Sequence, residues 1–211
     1  PLLVDVAKTN KQIILSTGMS TWAEIDLAIK SIKRFNEDII VLQCTSEYPC
    51  EYENVGLNVL SEIKDRYDLP VGISDHTNTI YASLAAAVLN AKVIEKHLTF
   101  SKKMYGSDAK NSLNPIEFKD MVNGIRAIEK IMRSKIDKDL MSKKLSNMKS
   151  IFEKSIVTLV DINKNEIIKK EMIGFKKPGT GLPPSKFENV IGKKTKKRIL
   201  KNSFLQIEDL Q

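Results

Sequence analysis

The chain holds two histidines, His76 and His97, and each closes an apolar run where a buried strand should give way to a polar loop. One run starts at Val71 and the other at Val93. Side chains alternate between the faces of a strand, so Val93, Glu95 and His97 share one face, as do Ser74 and His76. If the two strands are neighbours in a parallel sheet, their C-terminal ends gather two imidazoles, a carboxylate and a hydroxyl into one small volume. Parallel α/β folds carry their chemistry at that end. Neutral imidazole is the commonest side-chain metal ligand, and two of them, with water and open positions for substrate, describe a catalytic metal site. The same groups would equally serve acid–base chemistry.

The elements that must position these residues repeat along the chain. Residues 12–16 (Q-I-I-L-S) read as a short buried strand, and Thr21 with Glu24 makes a capping box that opens a helix reaching about residue 35. Residues 39–44 form the next strand, followed by the loop T-S-E-Y-P-C-E-Y-E-N and a helix over 57–67. Pro70 restarts the chain as the strand that ends at His76. A helix over 80–90, with Ala-Ala-Ala for close packing, leads to the strand of Glu95 and His97. After the long loop 101–114, Pro115 takes the first position of a helix reaching about residue 133, with Ile116, Met121, Ile125, Ile128 and Met132 as its apolar stripe. Strand–helix units at this spacing predict parallel strands with right-handed crossovers, half of an eightfold barrel. An open four-stranded sheet is the competing architecture. A doubly wound fold, however, carries a glycine-rich phosphate loop after its first strand, and S-T-G-M-S does not match one.

Beyond residue 135 the character changes. Residues 135–149 are lysine-rich and read as an extended or partly helical linker. Then S-I-V-T-L-V-D (155–161) alternates like a strand, N-K-N-E puts Asn165 in a turn needing tolerance of positive φ, F-K-K-P-G-T-G-L-P-P reads as a rigid loop, and residues 198–210 suggest one more strand. The expected organisation is therefore a half-barrel over residues 1–136, a linker over 137–150 and a compact, mostly β module over 151–211.

Charge follows the same division. The formal net charge is +8, yet residues 149–211 carry 14 Lys and Arg against 7 Asp and Glu, while the preceding 148 residues carry 20 against 19. The basic run K-K-T-K-K-R at 193–198 lacks the interleaved aromatics of a nucleic-acid surface, so it reads as a solvated face or one that attracts anionic substrate. Cys44 and Cys50 make neither a disulfide framework nor a zinc pattern, which fits a reducing cytoplasm. No apolar run approaches a membrane span and no signal-peptide pattern opens the chain. The chain starts at Pro1 in mid-pattern, and a longer natural protein is expected.

Six short motifs, in order, carry a resemblance: S-T-G-M (16–19), C-T-S-E-Y-P (44–49), S-D-H-T (74–77), E-K-H (95–97), G-S-D (106–108) and K-P-G-T-G (177–181). Together they resemble the sialic acid synthase family over essentially the whole chain. That resemblance implies a (β/α)8 TIM barrel, here its C-terminal half, followed by an antifreeze-like SAF domain, and a domain-swapped homodimer. It implies condensation of phosphoenolpyruvate with an N-acetylmannosamine-like sugar by C–O bond cleavage. By resemblance, His76 and His97 hold a divalent ion, manganese first and magnesium second, on the sugar's carbonyl oxygen. Glu95 would stabilise positive charge at the enol carbon or handle the water. Ser16, Ser46 and Ser74 would hold phosphoenolpyruvate, Tyr48 would line the sugar pocket, Asp108 would bind sugar hydroxyls, and Lys177 would reach the sugar's acyl group from the partner subunit. Ser46 stands where some members have asparagine, and Lys177 where arginine is usual; a point charge does not reproduce the forked guanidinium. The family's metal-proximal glutamate and phosphate-binding lysines precede this stretch, so the chain is not expected to be competent alone. The alternatives are another metal-dependent barrel aldolase, which would consume pyruvate, and a non-enzymatic carbohydrate-binding or ice-binding module, which leaves the paired histidines without a role.

Overall fold

A computed structural model describes residues 1–211 and divides into two units, Pro1–Lys135 and Ile136–Gln211. In the first unit, helix α1 (Leu2–Ala7) precedes four strand–helix pairs: β1 (Ile13–Ser16) and α2 (Trp22–Lys33), β2 (Ile39–Cys44) and α3 (Leu57–Tyr67), β3 (Val71–Asp75) and α4 (Tyr81–Val88), β4 (Val93–Lys96) and α5 (Pro115–Arg133). The strands form one parallel sheet in chain order. Local chemistry sets the helix starts. The Thr21 hydroxyl accepts from the Glu24 amide while the Glu24 carboxylate accepts from the Thr21 amide, and Asn114 and Glu117 repeat this reciprocal cap ahead of α5.

One face of the sheet is buried under the helices. Ile13, Ile39, Val41, Val71 and Ile73 pack there with Ile25, Ile29, Ile32, Leu60, Ile63, Ala82 and Ala86. Each large side chain so buried contributes about 1.5–3 kcal/mol. Strand β2, I-I-V-L-Q-C, is buried along its whole length, as its unbroken apolar run requires. On the opposite face Gly72 lies between its register partners Leu42 and Val93, and a Cβ there would run into the Leu42 side chain and the Val93 carbonyl. Only glycine lets β2, β3 and β4 come this close at that point.

The apolar stripe expected along α5 is only partly used. Met121 is buried, whereas Ile116 and Met132 are exposed. Helix α5 packs on α4, where Gly124 faces Leu84, and follows β4, the last strand of the sheet, and Ile125 and Ile128 are half-buried. Helix α1 was not expected from the pattern.

The second unit begins with helices α6 (Lys138–Lys144) and α7 (Ser146–Phe152), where the sequence suggests an extended or partly helical linker. Strands β5 (Ser155–Thr158) and β6 (Ile173–Lys176) pair antiparallel, and helix α8 (Phe187–Val190) lies between β6 and the C-terminus. Ile156, Ile162, Ile168, Ile173, Val190, Ile199, Leu205 and Leu210 form a separate core. Asn165 adopts φ 65°, as its turn demands. Two expectations are corrected. Phe175 and Lys176 belong to β6, so the proline–glycine loop starts after them. Residues 198–210 form no continuous strand, only isolated bridges at Ile199, Phe204 and Leu210 and a 3-10 turn over Ile207–Asp209. The left-handed backbone of Asn202 breaks the extension, and the buried Thr158 hydroxyl takes the Leu200 carbonyl as its acceptor there.

Candidate active site

The open face of the sheet collects the polar groups at the C-terminal ends of β3 and β4. Cross-strand pairing sets Ser74 opposite Glu95, and the Ser74 hydroxyl donates to Glu95 Oε1 at 2.5 Å. One step beyond each strand, the His76 and His97 rings meet edge to face with centroids 5.3 Å apart. The Tyr48 ring, delivered by the loop after β2, lies 4.3 Å from the His76 ring and 5.7 Å from that of His97. Asp108 approaches from the loop after β4, its Oδ2 4.0 Å from His97 Nδ1. Five of the expected residues thus converge with Asp108 at their rim.

Hydrogen bonding fixes the state of the central imidazole. His76 is buried, and its Nδ1 lies 2.9 Å from the Thr45 carbonyl, which can only accept. Nδ1 therefore carries the proton. Nε2 is the ring nitrogen the backbone leaves uncommitted, 3.4 Å from the Ser74 oxygen. A backbone carbonyl that orients one ring nitrogen and bares the other is the usual support for a histidine metal ligand. The Cys44 thiol sits 3.9 Å from His76 Nδ1 and 3.9 Å from the Ser46 hydroxyl, linking Ser46 to the cluster's edge. Partial burial pushes the Tyr48 phenol above its usual range, with negative charge at Cys44, Asp108 and Glu95 adding to the effect, so the ring presents a neutral hydroxyl at physiological pH.

Ser16 stands apart from this cluster. It is exposed at the end of β1, beyond the hydrogen-bond reach of the cluster. Its neighbour Thr17 is what ties the strand ends together, donating to the Leu42 carbonyl at 3.0 Å and accepting from the Cys44 amide. Lys177 belongs to the second unit, where its ammonium lies 5.1 Å from the centre of the Phe152 ring. The loop that follows is held by Ser155, whose hydroxyl donates to the Pro178 carbonyl and accepts from the Gly181 amide.

Sequence reasoning passed over Cys44, Thr17 and the Thr45 carbonyl. Cys44 was legible in principle, because it shares the open face with Ser74 through the register that pairs them. The Thr45 carbonyl was not, since a backbone acceptor leaves no trace in side-chain identity. No set of three or more His, Cys, Asp and Glu side chains converges at metal-ligand distance. The chain itself thus supplies two imidazoles, one of fixed tautomer, a donor set that fits a divalent ion completing its coordination with water and substrate oxygens.

Comparison with known proteins adds to this geometry. Residues 1–137 match the NeuB family model and residues 153–211 match the SAF domain. The chain is 41% identical over 196 residues to the N,N′-diacetyllegionaminic acid synthase of Campylobacter jejuni, covering 92% of this chain and 58% of that protein. It is 35% identical over 197 residues to the N-acetylneuraminate-9-phosphate synthase of Homo sapiens, covering 92% and 54%. The solved N-acetylneuraminic acid (sialic acid) synthetase of Leptospira borgpetersenii, in complex with citrate, aligns with TM-score 0.63 at 30% identity over 70% of this chain and 52% of that one. The chain spans a little over half the length of these relatives. Its four parallel strands form half of such a barrel, the second unit is an antifreeze-like SAF domain, and by the match over residues 1–137 the chain belongs to the NeuB family, that of the sialic acid synthases.

Proposed function

We propose that this chain carries the metal-binding half of the active site of a nonulosonic acid synthase, which condenses phosphoenolpyruvate with an N-acetylated amino sugar and releases inorganic phosphate. The observation that carries the reading is the pairing of His76 and His97 beside the Ser74–Glu95 hydrogen bond, on the open face of a NeuB-type sheet. Relatives named as synthases of legionaminic, pseudaminic and N-acetylneuraminic-9-phosphate acids support the product class.

In this reading His76 and His97 hold a divalent ion, manganese or magnesium, which would act as a Lewis acid on the sugar's aldehyde oxygen. Nδ1–H donation to Thr45 keeps the His76 ring aimed. C3 of phosphoenolpyruvate bonds to the aldehyde carbon, water adds at C2, and phosphate leaves with the bridging oxygen. Glu95, fixed by the Ser74 hydroxyl, faces the carbon that becomes electron-poor or accepts the water's proton. Ser16 and Ser46 offer hydroxyls to phosphoenolpyruvate and Ser74 lines its pocket, Tyr48 lines the sugar pocket, the Asp108 carboxylate accepts from sugar hydroxyls, and Lys177 contributes from the partner subunit of a homodimer. The two free thiols, Cys44 and Cys50, favour a cytoplasmic setting, and no helix is long and apolar enough to cross a membrane.

The test is an assay of phosphate release by the full-length protein, with phosphoenolpyruvate against N-acetylmannosamine and 2,4-diacetamido-trideoxy hexoses. With the bridging oxygen labelled, the label should leave in phosphate. Label retained in the sugar acid, or consumption of pyruvate in place of phosphoenolpyruvate, overturns the reading.

A further inference from the structure

Behind the two imidazoles, on the helix-packed face of the same strands, lies a buried ion pair that the proposed chemistry does not use. Lys96 sits between Glu95 and His97, and Asp75 between Ser74 and His76, so each points away from the site by strand alternation. Their ammonium and carboxylate meet at 2.9 Å with side chains 1% and 0% exposed. Every polar atom there is engaged. Lys96 Nζ also donates to the Thr77 carbonyl and approaches the Thr77 hydroxyl at 3.2 Å, which uses its three protons. Asp75 Oδ1 accepts from the Thr77 amide at 2.8 Å and Oδ2 from the Ser83 hydroxyl of α4 at 2.6 Å.

Stability alone is a poor reason for such a pair, because desolvating two charges cancels most of what their attraction returns. Register is a better one. Asp75 and Lys96 are direct cross-strand partners, one step along from Ser74 and Glu95. A slip of one residue would turn Lys96 to the open face and carry Glu95 and His97 behind the sheet. The same lysine holds the Thr77 carbonyl, one residue past His76, so it also fixes where the chain leaves β3.

The geometry points to Lys96 and Asp75 as positioning residues that set the separation and mutual orientation of the His76 and His97 rings from the opposite side of the sheet. This rests on the reading of those histidines as the centre of the site, but its test does not require activity. In the full-length protein, selective isotope labelling of histidine gives ring signals, and those of His76 and His97 are assigned by their disappearance in His76→Ala and His97→Ala. At the observed ring separation, wild type should show a cross-relaxation peak between the rings.

The variant Asp75→Asn/Lys96→Met removes both charges together and leaves no lone buried ion. Below its melting temperature, and with native circular dichroism, it should lose at least about half of that cross-peak and shift both sets of ring signals. A destabilised control, Ile32→Val in the core of α2, should keep cross-peak and shifts. If the double variant does not fold, Ser83→Ala removes one hydroxyl from Asp75 and should move the His76 signals alone. Unchanged ring signals in a folded double variant, or in Ser83→Ala when only that variant folds, overturn the inference, as does equal loss in Ile32→Val. Titration with manganese separates the two readings. Failure of manganese to broaden either ring in wild type would count against the metal site, while the metal-free cross-peak still decides the positioning role.

Discussion

At the scale of residues, the site depends on which ring nitrogen is committed. His76 donates Nδ1–H to a backbone carbonyl, and that bond would survive almost any side-chain change around it, whereas removing the ring removes the Nε2 atom a metal would need. In the full-length protein, His76→Ala and His97→Ala should each weaken manganese binding by about tenfold or more, read by electron paramagnetic resonance of the free ion. Wild-type affinity in both variants would remove the metal site from the proposal. The side-chain members of this cluster were readable in the sequence, because alternation alone puts Ser74 with His76 and Glu95 with His97 on strands of like position. The contribution of Tyr48 came from the family resemblance, since a loop tyrosine has no periodicity to interpret. The reverse-side pair Asp75–Lys96 escaped notice for the opposite reason: charged residues inside otherwise apolar strands look like strand-end exposure until the register shows them facing each other in the core.

Elements hold these residues through close approach and through caps. Replacing Gly72 by alanine forces a methyl against the Val93 backbone, which cannot give way as a flexible side-chain tip could. A cost of about 1–3 kcal/mol is expected, seen as a lower urea midpoint at unchanged slope. The start of α5 predicts a pH effect. Ion pairing with Lys102 and the bond from the Asn114 amide hold the Glu117 carboxyl below its usual range. A carboxyl whose folded pKa is depressed gives its stabilisation in full above the unfolded value, about 4.3, and loses it as pH falls through the folded value. Melting temperature should therefore drop on acidification below about pH 5. Glu117→Gln, which keeps the cap but not the charge, should shrink that drop slightly, because the pair is partly exposed and screened. An identical pH profile for both proteins would exclude Glu117 as a contributor. Caps and strands of this kind were legible because they are written in neighbouring residues. The extra strand expected over residues 198–210 was not a safe inference, since its apolar positions serve separate bridges to three different segments.

At the scale of the molecule, each unit has its own core, and the second is small enough for single side chains to decide its stability. Ile162 is fully buried there, and Ile162→Ala should cost about 2–5 kcal/mol, comparable with the whole stability of a small domain. Residues 136–211 expressed alone should melt cooperatively, and the variant should not. The sequence separated the units by composition, since lysine and arginine outnumber acidic residues two to one over 149–211 and are nearly matched by them before. It could not show how the second takes part in chemistry. The proposed role of Lys177 in a partner's site makes a quantitative prediction for mixed dimers of the full-length protein. Take two inactive variants, His97→Ala and Lys177→Ala, under conditions that exchange subunits. Random pairing makes half of the dimers mixed, and each mixed dimer has one site with both residues intact if Lys177 acts across the dimer. Activity should then return to about a quarter of wild type per total site. If Lys177 acts within its own subunit, every site in the mixture lacks one of the two residues and nothing returns. Absence of recovery despite verified exchange therefore rejects action across the dimer, and full activity of Lys177→Ala alone rejects any role for this lysine.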